Sequence, residues 1–431
     1  MSIRIEDELL FISKSILNSG IFIFFVLILS QASFAQQPEK RIPDGTEGEY
    51  FKAPDTTTSK RKFTSWNQYD GPVSTVKFGF AFLGDAATFV QDKASADQFD
   101  MKPGFKVRDF RVLLSGNFKF KRTISWKAGI MYDGTTDRWL FRESGFTIST
   151  PEIWGQIFIG RTKEGFSMSK VMNGYAGWMM ERQMAIDIIP ILGDGIKWMA
   201  YLPKQRIFWN VGGFGNWLSE HESFSTYKWQ TIIRAGWLPI YTDNKVIHIG
   251  ASARYGEVEN GQLQVRSRPE ITLAPFFLDA GTIMTNYTTH FGGELYYRTG
   301  PLMMGTEYYM HKIHSPVSGN PLFNGGEVFV SYIFTKETRS YNTATAIFGF
   351  INTKSIFKGG HGTFEGILRF STLDLNKGAI TGGAFWRITP QVNWYLSNNL
   401  RLEFAYGYGV LDRFGTKGGT NFFQTRIQIM I

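Results

Sequence analysis

From about Val73 to the last residue the chain alternates between apolar and polar positions. In FRVLLSGNFKF (110–120), Phe110, Val112, Leu114, Gly116, Phe118 and Phe120 share one face, and Arg111, Ser115, Asn117 and Lys119 share the other. TISWKAGIMYD (123–133) repeats the pattern. So does LRLEFAYGYGV (400–410), where Leu400, Leu402, Phe404, Tyr406 and Tyr408 oppose Arg401 and Glu403. The chain even ends this way: in FFQTRIQIMI, Phe423, Thr425, Ile427, Ile429 and Ile431 oppose Gln424, Arg426, Gln428 and Met430. A two-residue period is the signature of a strand whose two faces meet different surroundings. Short stretches carrying Pro, Gly, Asn or Asp, such as 149–152, 202–205, 241–244, 299–302 and 396–399, separate the strands as hairpin turns do.

About sixteen such strands lie between residues 75 and 431. A further candidate at 263–273 would break the up-and-down parity, so 257–287 reads as one long excursion. The predicted fold is all-β: a transmembrane antiparallel β-barrel of about 16 strands with loops folded into its lumen. A soluble β-sandwich also alternates, but two features separate the readings. The strands run to about 9–13 residues, longer than the usual 5–6 and right for a tilted membrane crossing. In addition, Trp209 and Trp217 are eight residues apart on one face, and Trp229 and Trp237 repeat that spacing on the next strand. Eight residues span ~26 Å along a strand, and a tilt of ~40° brings that close to the apolar band between two aromatic girdles. The apolar face is therefore expected to meet outer-membrane lipid.

Composition agrees. Aromatic residues make up 16% of the chain, yet its mean hydropathy is slightly negative, a combination that alternation produces. There is no cysteine, which excludes disulfides, thiolate metal sites and cysteine nucleophiles. Residues 1–35 read as a signal peptide: Arg4 and Lys14 precede the apolar run IFIFFVLIL, and Ser33 and Ala35 stand before a cut at Gln36. Residues 36–72 read as a flexible periplasmic leader, and 73–431 as the barrel. The net charge of +9 becomes +10 once residues 1–35, with two bases and three acids, are removed.

Three connections exceed what the topology needs: 162–194, 257–287 and 335–361. The first holds Met168, Met172, Trp178, Met179, Met180, Met184, Ile186, Ile188 and Ile189, an apolar density that requires cover and predicts folding into the lumen. The third carries Lys336, Arg339, Lys354 and Lys358 against Glu337. By parity the lumen wall carries Lys77, Arg111, Lys119, Lys127, Arg234, Arg254, Arg298, Arg369, Arg401 and Arg426, and also Asp109, Glu294, Glu307, Glu327, Glu365 and Glu403. Cross-strand pairing is expected among Glu294, Arg298, Glu365 and Arg369. A basic balance in a narrow passage concentrates anions and repels cations. The candidate anion-binding residues are Arg111, Lys127, Arg254, Arg266, Arg268 and Arg369.

The segments GRTKEGF (160–166), WMMERQM (178–184), RSRPE (266–270), GPLMMGTEYY (300–309), GGEVFVSYIFTKETRSYN (325–342) and GTFEGILRFSTLDLNKGAITGG (362–383) together resemble the phosphate-selective porin O/P family. The resemblance implies a sixteen-stranded outer-membrane barrel, usually a homotrimer, with lumen-folded loops and an arginine-lined path for small anions of the phosphate class. Six acids on the lumen wall and the Met-rich excursion are not what a dedicated phosphate path requires, so a general non-selective porin stays open as an alternative, as does an occluded structural or adhesive barrel.

No phosphate-binding, nucleophile-elbow or zinc-protease motif occurs. HKIH (311–314) supplies two histidines with no third ligand nearby in the sequence. Parity places His248, His290 and His311 on the lumen face, away from lipid, which argues against a membrane-lipid hydrolase. No catalytic residue, metal site, cofactor or nucleic-acid partner is expected. The expected location is the outer membrane of a Gram-negative bacterium.

Overall fold

The computed structural model describes residues 62–218 and 227–431. The expected signal peptide, and the expected leader as far as residue 61, lie outside the described residues. Sixteen strands close into an antiparallel barrel. They are β1 (Thr75–Gln91), β2 (Gly104–Phe118), β3 (Ile124–Asp133), β4 in two pieces (Arg138–Phe141 and Ser144–Thr150), β5 (Gly155–Lys163), β6 (Leu192–Leu202), β7 (Ile207–Gly215) and β8 (Tyr227–Tyr241). The circuit continues with β9 (Lys245–Val258), β10 (Tyr287–Thr299), β11 (Leu302–Ile313), β12 (Leu322–Ile333), β13 (Thr363–Lys377), β14 (Ile380–Tyr395), β15 (Leu400–Arg413) and β16 (Thr416–Met430). β16 pairs back onto β1, with Phe423 opposite Thr88 and Ile429 opposite Phe82. The alternating C-terminal stretch is thus the closing strand.

At the end of the barrel that carries Ile431, β1 outruns β16. The last pair of bonds joins Phe80 to Ile431 in both directions. Below it a hairpin of Lys62–Ser65 and Gln68–Asp70 covers the otherwise bare edge of β1, with Gln68 opposite Lys77, so no strand edge is left open there. The backbone approach at this seam is close: a Cβ on Gly79 would lie 2.5 Å from the Ile431 carbonyl oxygen.

The two faces divide as the alternation predicts. Leu114, Ile130 and Phe404 are exposed on the outside, while Arg234, Glu294, Glu365, Arg401 and Glu403 are buried inside. Aromatic groups mark both rims of the outer band. Near the Ile431 end, Trp209 packs edge-on against Trp154 and Trp198, at 6.1 and 5.1 Å between ring centroids. At the opposite end, Trp229, Tyr255, Tyr287 and His314 form a ladder across neighbouring strands, at 5.2, 5.5 and 4.2 Å.

All three long connections fold inward. Residues 164–191 and 259–286 enter from the end opposite Ile431, whereas 334–362 enter from the Ile431 end, between β12 and β13. The segment once readable as a seventeenth strand is a strand, Gln262–Ser267, but it pairs with Leu278–Met284 in a separate hairpin. A second inner hairpin joins Arg339–Asn342 to Ile347–Ile351. Inside the barrel, Met168, Val171, Met172, Trp178 and Met179 pack on Tyr296, Phe329 and Phe348, and Met184, Ala185, Ile186 and Ile188 pack on Phe166, Tyr309 and Phe385. Each large apolar side chain buried in this way stabilises the inner fold by about 1.5–3 kcal/mol. The core of this protein therefore sits in its lumen, built from the excursions.

Candidate functional site

The lumen has two unlike sides. Along β8–β16 the wall charges are consumed in holding the excursions. Glu294 accepts from Arg234 Nε at 2.8 Å, from His248 at 3.0 Å and from the Met168 backbone N–H at 2.6 Å. Arg234 also donates to the Ala346 carbonyl at 2.9 Å, so one wall cluster grips excursions arriving from both ends. Arg254 meets Glu164 at 3.0 Å, and Glu164 also holds Lys170 at 2.9 Å. Arg339 pairs with Glu365 at 2.8 Å. Arg369 pairs with Glu270 and with Glu327 and donates to the Glu181 carbonyl at 2.9 Å. Arg401 meets Glu403 and the Gly177 carbonyl, at 2.9 and 2.6 Å. Within the excursions, burial lowers the Lys170 ammonium to about 8 against the pull of Glu164. Burial works to raise the Glu181 carboxyl, but Arg108 and Arg426 outweigh it and hold it at about 2.

The expected cross-strand quartet is corrected by this pattern. Glu294 takes Arg234 and His248, Glu365 takes Arg339 from an excursion, and Arg298 meets backbone carbonyls of Thr242, Asp243 and Arg339. Only Arg369 finds a wall acid, Glu327 on the neighbouring strand. The physical reason is that nearer partners take these side chains first: wall residues Arg234 and His248 for Glu294, the excursion's Arg339 for Glu365, and carbonyls of the β8–β9 turn and of Arg339 for Arg298.

Along β2–β5 the wall is mixed: Arg161 is fully buried against Asp194 at 3.1 Å, Arg108 meets Glu181 at 3.1 Å and Arg111 meets Asp109 at 2.8 Å, but other bases are less enclosed. The Arg111 and Lys127 side chains keep 16% and 19% of their surface exposed, against 2% for Arg369. Lys127 and Lys163 stand 3.8 and 3.7 Å from the two oxygens of Glu143, distances at the edge of ion pairing. Across from them, Arg182 of the first excursion donates, among the described residues, to the Ser169 and Met172 carbonyls, at 2.6 and 3.1 Å. Arg266 is exposed and Arg268 half-buried; their guanidinium carbons lie 4.1 and 4.2 Å from the ring centroid of Phe276. Asp187 opens onto the same space and accepts from the Ser267 hydroxyl at 2.8 Å. Desolvation inside the barrel pushes its carboxyl up to about 7, Glu181 and Glu270 push the same way, and the Ser267 hydrogen bond opposes them. These groups line a lane along which the Met-rich excursion meets the β2–β5 wall, joined to it where Glu181 takes Arg108, Tyr175 donates to Asp109 and Lys163 donates to the Met172 carbonyl.

Of the six candidate residues, then, Arg111, Lys127, Arg266 and Arg268 stand on the lane, and Arg254 and Arg369 stand in the clamps on the other side. Sequence reasoning missed Arg108, Arg142, Glu143, Lys163 and Arg182. For Arg142 and Glu143 a signal existed. Outward-facing Phe141 and Phe146 are five residues apart, an odd step that strict alternation forbids. A break in β4 absorbs the extra residue and turns 142 and 143 inward. Among the described residues no cluster of three or more metal-ligating side chains occurs; His290 and His311 face each other in the lumen at 2.8 Å.

Comparison with known proteins bears on this geometry. The family model described as phosphate-selective porin O and P matches residues 80–431. An uncharacterised protein of Caulobacter vibrioides is 27% identical over 173 residues, which is 38% of this chain and 34% of that protein, so the match spans about a third of the relative's length. Solved structures share the fold, among them these two. OmpF of Salmonella typhi, in complex with daunomycin, superposes with a TM-score of 0.55 at 11% identity, over 83% of this chain and 98% of its own. An anion-selective porin from Comamonas acidovorans gives 0.50 at 11% identity, over 83% and 100%.

Proposed function

The chain belongs to the phosphate-selective porin O and P family, and on that premise we propose that this outer-membrane channel passes small anions of the phosphate class along the β2–β5 lane. One observation carries the reading. On the lane Arg142, Arg182, Arg266 and Arg268 have no carboxylate within ion-pair distance among the described residues, whereas on the other side Arg234, Arg254, Arg339, Arg369, Arg401 and Arg426 each have one. Unneutralised guanidinium in a low-dielectric passage raises the local anion concentration, and its planar fork suits oxyanions. Arg111, Lys127, Arg266 and Arg268 would meet the anion, whereas Arg254 and Arg369 would hold the excursions that shape the passage. The working assembly we propose is a homotrimer in outer-membrane lipid, with no cofactor.

Reversal potentials in planar bilayers under a KCl gradient test this reading. Anion preference that falls in Arg111→Ala, Lys127→Ala or Arg266→Ala, and stays in Lys245→Ala at a turn, is the expected outcome. Cation preference in the wild type refutes it. The Met-rich packing of 164–191 favours one competing reading, an occluded structural barrel, for which no conductance would be measured.

A further inference from the structure

The outward face of β12–β16 and β1 carries a hollow of about 920 Å3, lined from all six strands between Val330 and Ala86. The outside of a barrel is convex, so a hollow there needs small residues set among large ones. Gly366, Pro390 and Ala86 supply the small ones, and Phe404, Tyr406 and Phe423 stand beside them. The missing side chain of Gly366 makes room for the Phe334 ring, since a Cβ there would come within 2.8 Å of it. Pro390 has no N–H to give, and the β14–β15 ladder passes from Ile388–Tyr408 to Gln391–Ala405 without pairing it. Proline is kept out of central strands for that reason; here it adds apolar surface to the hollow.

The hollow climbs the wall. On β12 it begins at Tyr332, at the Ile431 end of the strand, and on β1 it reaches Thr88, well past Phe80, where Ile431 closes the seam. Five strand spacings of ~4.8 Å give it a length of about 24 Å, enough for an extended acyl chain rising from one surface of the bilayer. The Ile431 end carries the short turns after β4, β6, β8 and β10, which mark the periplasmic side of an outer-membrane barrel.

A cation stands at the lower mouth. Lys336 donates to the Tyr332 hydroxyl, and its Nζ lies 4.6 Å from the centre of the Tyr332 ring. Lys336 is exposed, and among the described residues no carboxylate lies within ion-pair distance of it. The neighbouring acid, Glu337, accepts from the Thr335 hydroxyl instead. The Lys336 backbone is left-handed, at φ 73°, and its N–H closes a turn onto the Ile333 carbonyl at 3.0 Å. Such a conformation is uncommon for a residue with a side chain. This turn leaves Lys336 on the outer face, while Arg339, three residues on, is buried inside.

We propose that the hollow and Lys336 form a site for one anionic glycerophospholipid of the periplasmic leaflet, with an acyl chain in the hollow and the headgroup phosphate at the Lys336 ammonium. An apolar hollow with a single basic group at its wet end is the complement of an anionic amphiphile. Lysine suits the headgroup as a compact point charge, and the Tyr332 hydroxyl beside it offers a second polar contact. The site lies on the outer wall and does not depend on the anion lane.

The test is native mass spectrometry of the full-length protein in mild detergent, titrated with dioleoylphosphatidylglycerol and, separately, with dioleoylphosphatidylethanolamine. Wild type should retain one phosphatidylglycerol per protomer, about fivefold more tightly than phosphatidylethanolamine. Lys336→Gln should remove that preference. Ala86→Phe, which fills the hollow, should weaken retention of both lipids, and Thr425→Leu fills the same place more gently should Ala86→Phe insert poorly. Lys204→Gln, at an exposed turn, should match wild type. Retention that neither filling variant lowers, or a headgroup preference that survives Lys336→Gln, overturns the proposal. So does a filling variant that breaks an oligomer into single chains while leaving lipid retention unchanged, which would assign the hollow to a second copy of the chain. Each of these results leaves the anion lane as it stands.

Discussion

Two sides of one barrel carry the same residue types and use them differently. On β8–β16, Arg234, Arg254, Arg369 and Arg401 are closed into hydrogen-bonded clusters with acids and with backbone of the excursions. On β2–β5, Arg111 beside Asp109 and Lys127 beside Glu143 remain partly wet, and Arg142 has no carboxylate within ion-pair distance among the described residues. The difference lies in what faces each wall. Where Met168, Trp178 and Ile186 press against the strands, water is displaced and every charge must find a protein partner. On β2–β5 the excursion also touches the wall, through Glu181 on Arg108, Tyr175 on Asp109 and the Met172 carbonyl on Lys163, but it brings fewer acids there than the wall has bases. A basic inner wall is thus no measure of a channel's selectivity; the partner of each base decides.

The comparison breaks most visibly if a clamp is cut. Glu365→Ala leaves Arg339 buried without its acid and should destabilise the folded barrel by about 3–5 kcal/mol, read by unfolding of the refolded protein in detergent. Glu143→Ala, on the lane, should cost about 1 kcal/mol or less. Equal losses would mean that the two sides do not differ as described. Leu114→Arg, which faces lipid, should impair insertion by roughly 2–4 kcal/mol at midplane. Ser115→Arg, one step along the same strand and facing the lane, should cost less than about 1 kcal/mol. Insertion into lipid vesicles from denaturant measures both.

How much of this was legible in the sequence follows from where a period exists. Strand faces repeat every two residues, so the inward set, the sixteen crossings and the closing role of FFQTRIQIMI could be read directly. The aromatic rims were legible for the same reason on β8, where Trp229 and Trp237 stand eight residues apart on the outward face, but not on β7, which ends at Gly215 and leaves Trp217 in a turn instead of on Trp209's strand. The excursions have no period. Their apolar content showed that 162–194 must be covered, but not that Glu164 would reach Arg254 or that Ala346 would cap Arg234. The side from which 334–362 enters was also hidden, because nothing in that segment marks an end of the barrel. Arg142 was lost to an assumption of strict alternation across Phe141 and Phe146.

Smaller effects sharpen the contrast. Arg111→Ala or Lys127→Ala should change stability little and reduce anion preference measurably, whereas Arg254→Ala should act first on stability, because it leaves fully buried Glu164 with Lys170 as its one remaining cation among the described residues. The smallest effect is in pH. Asp187 is held near 7 in the folded barrel, above its ordinary value of 3.8. The folded state therefore binds more protons than the unfolded state between those two values, and stability falls as pH rises through that window. In the channel, protonation below about 7 removes a negative charge from the lane. Anion preference should thus rise as pH falls from 8 to 6, and Asp187→Asn should flatten the dependence.

The central claim is that the lane is open to solutes and the clamped side is not. The chain has no cysteine, so Ser115→Cys on the lane and Ser371→Cys on the clamped side, both inward-facing and nearly isosteric replacements, can be compared in conducting channels. A small charged thiol reagent should modify Cys at 115 rapidly and change the current, and should leave Cys at 371 unmodified over the same time. Equal modification at the two positions, or modification at 371 alone, would contradict the account.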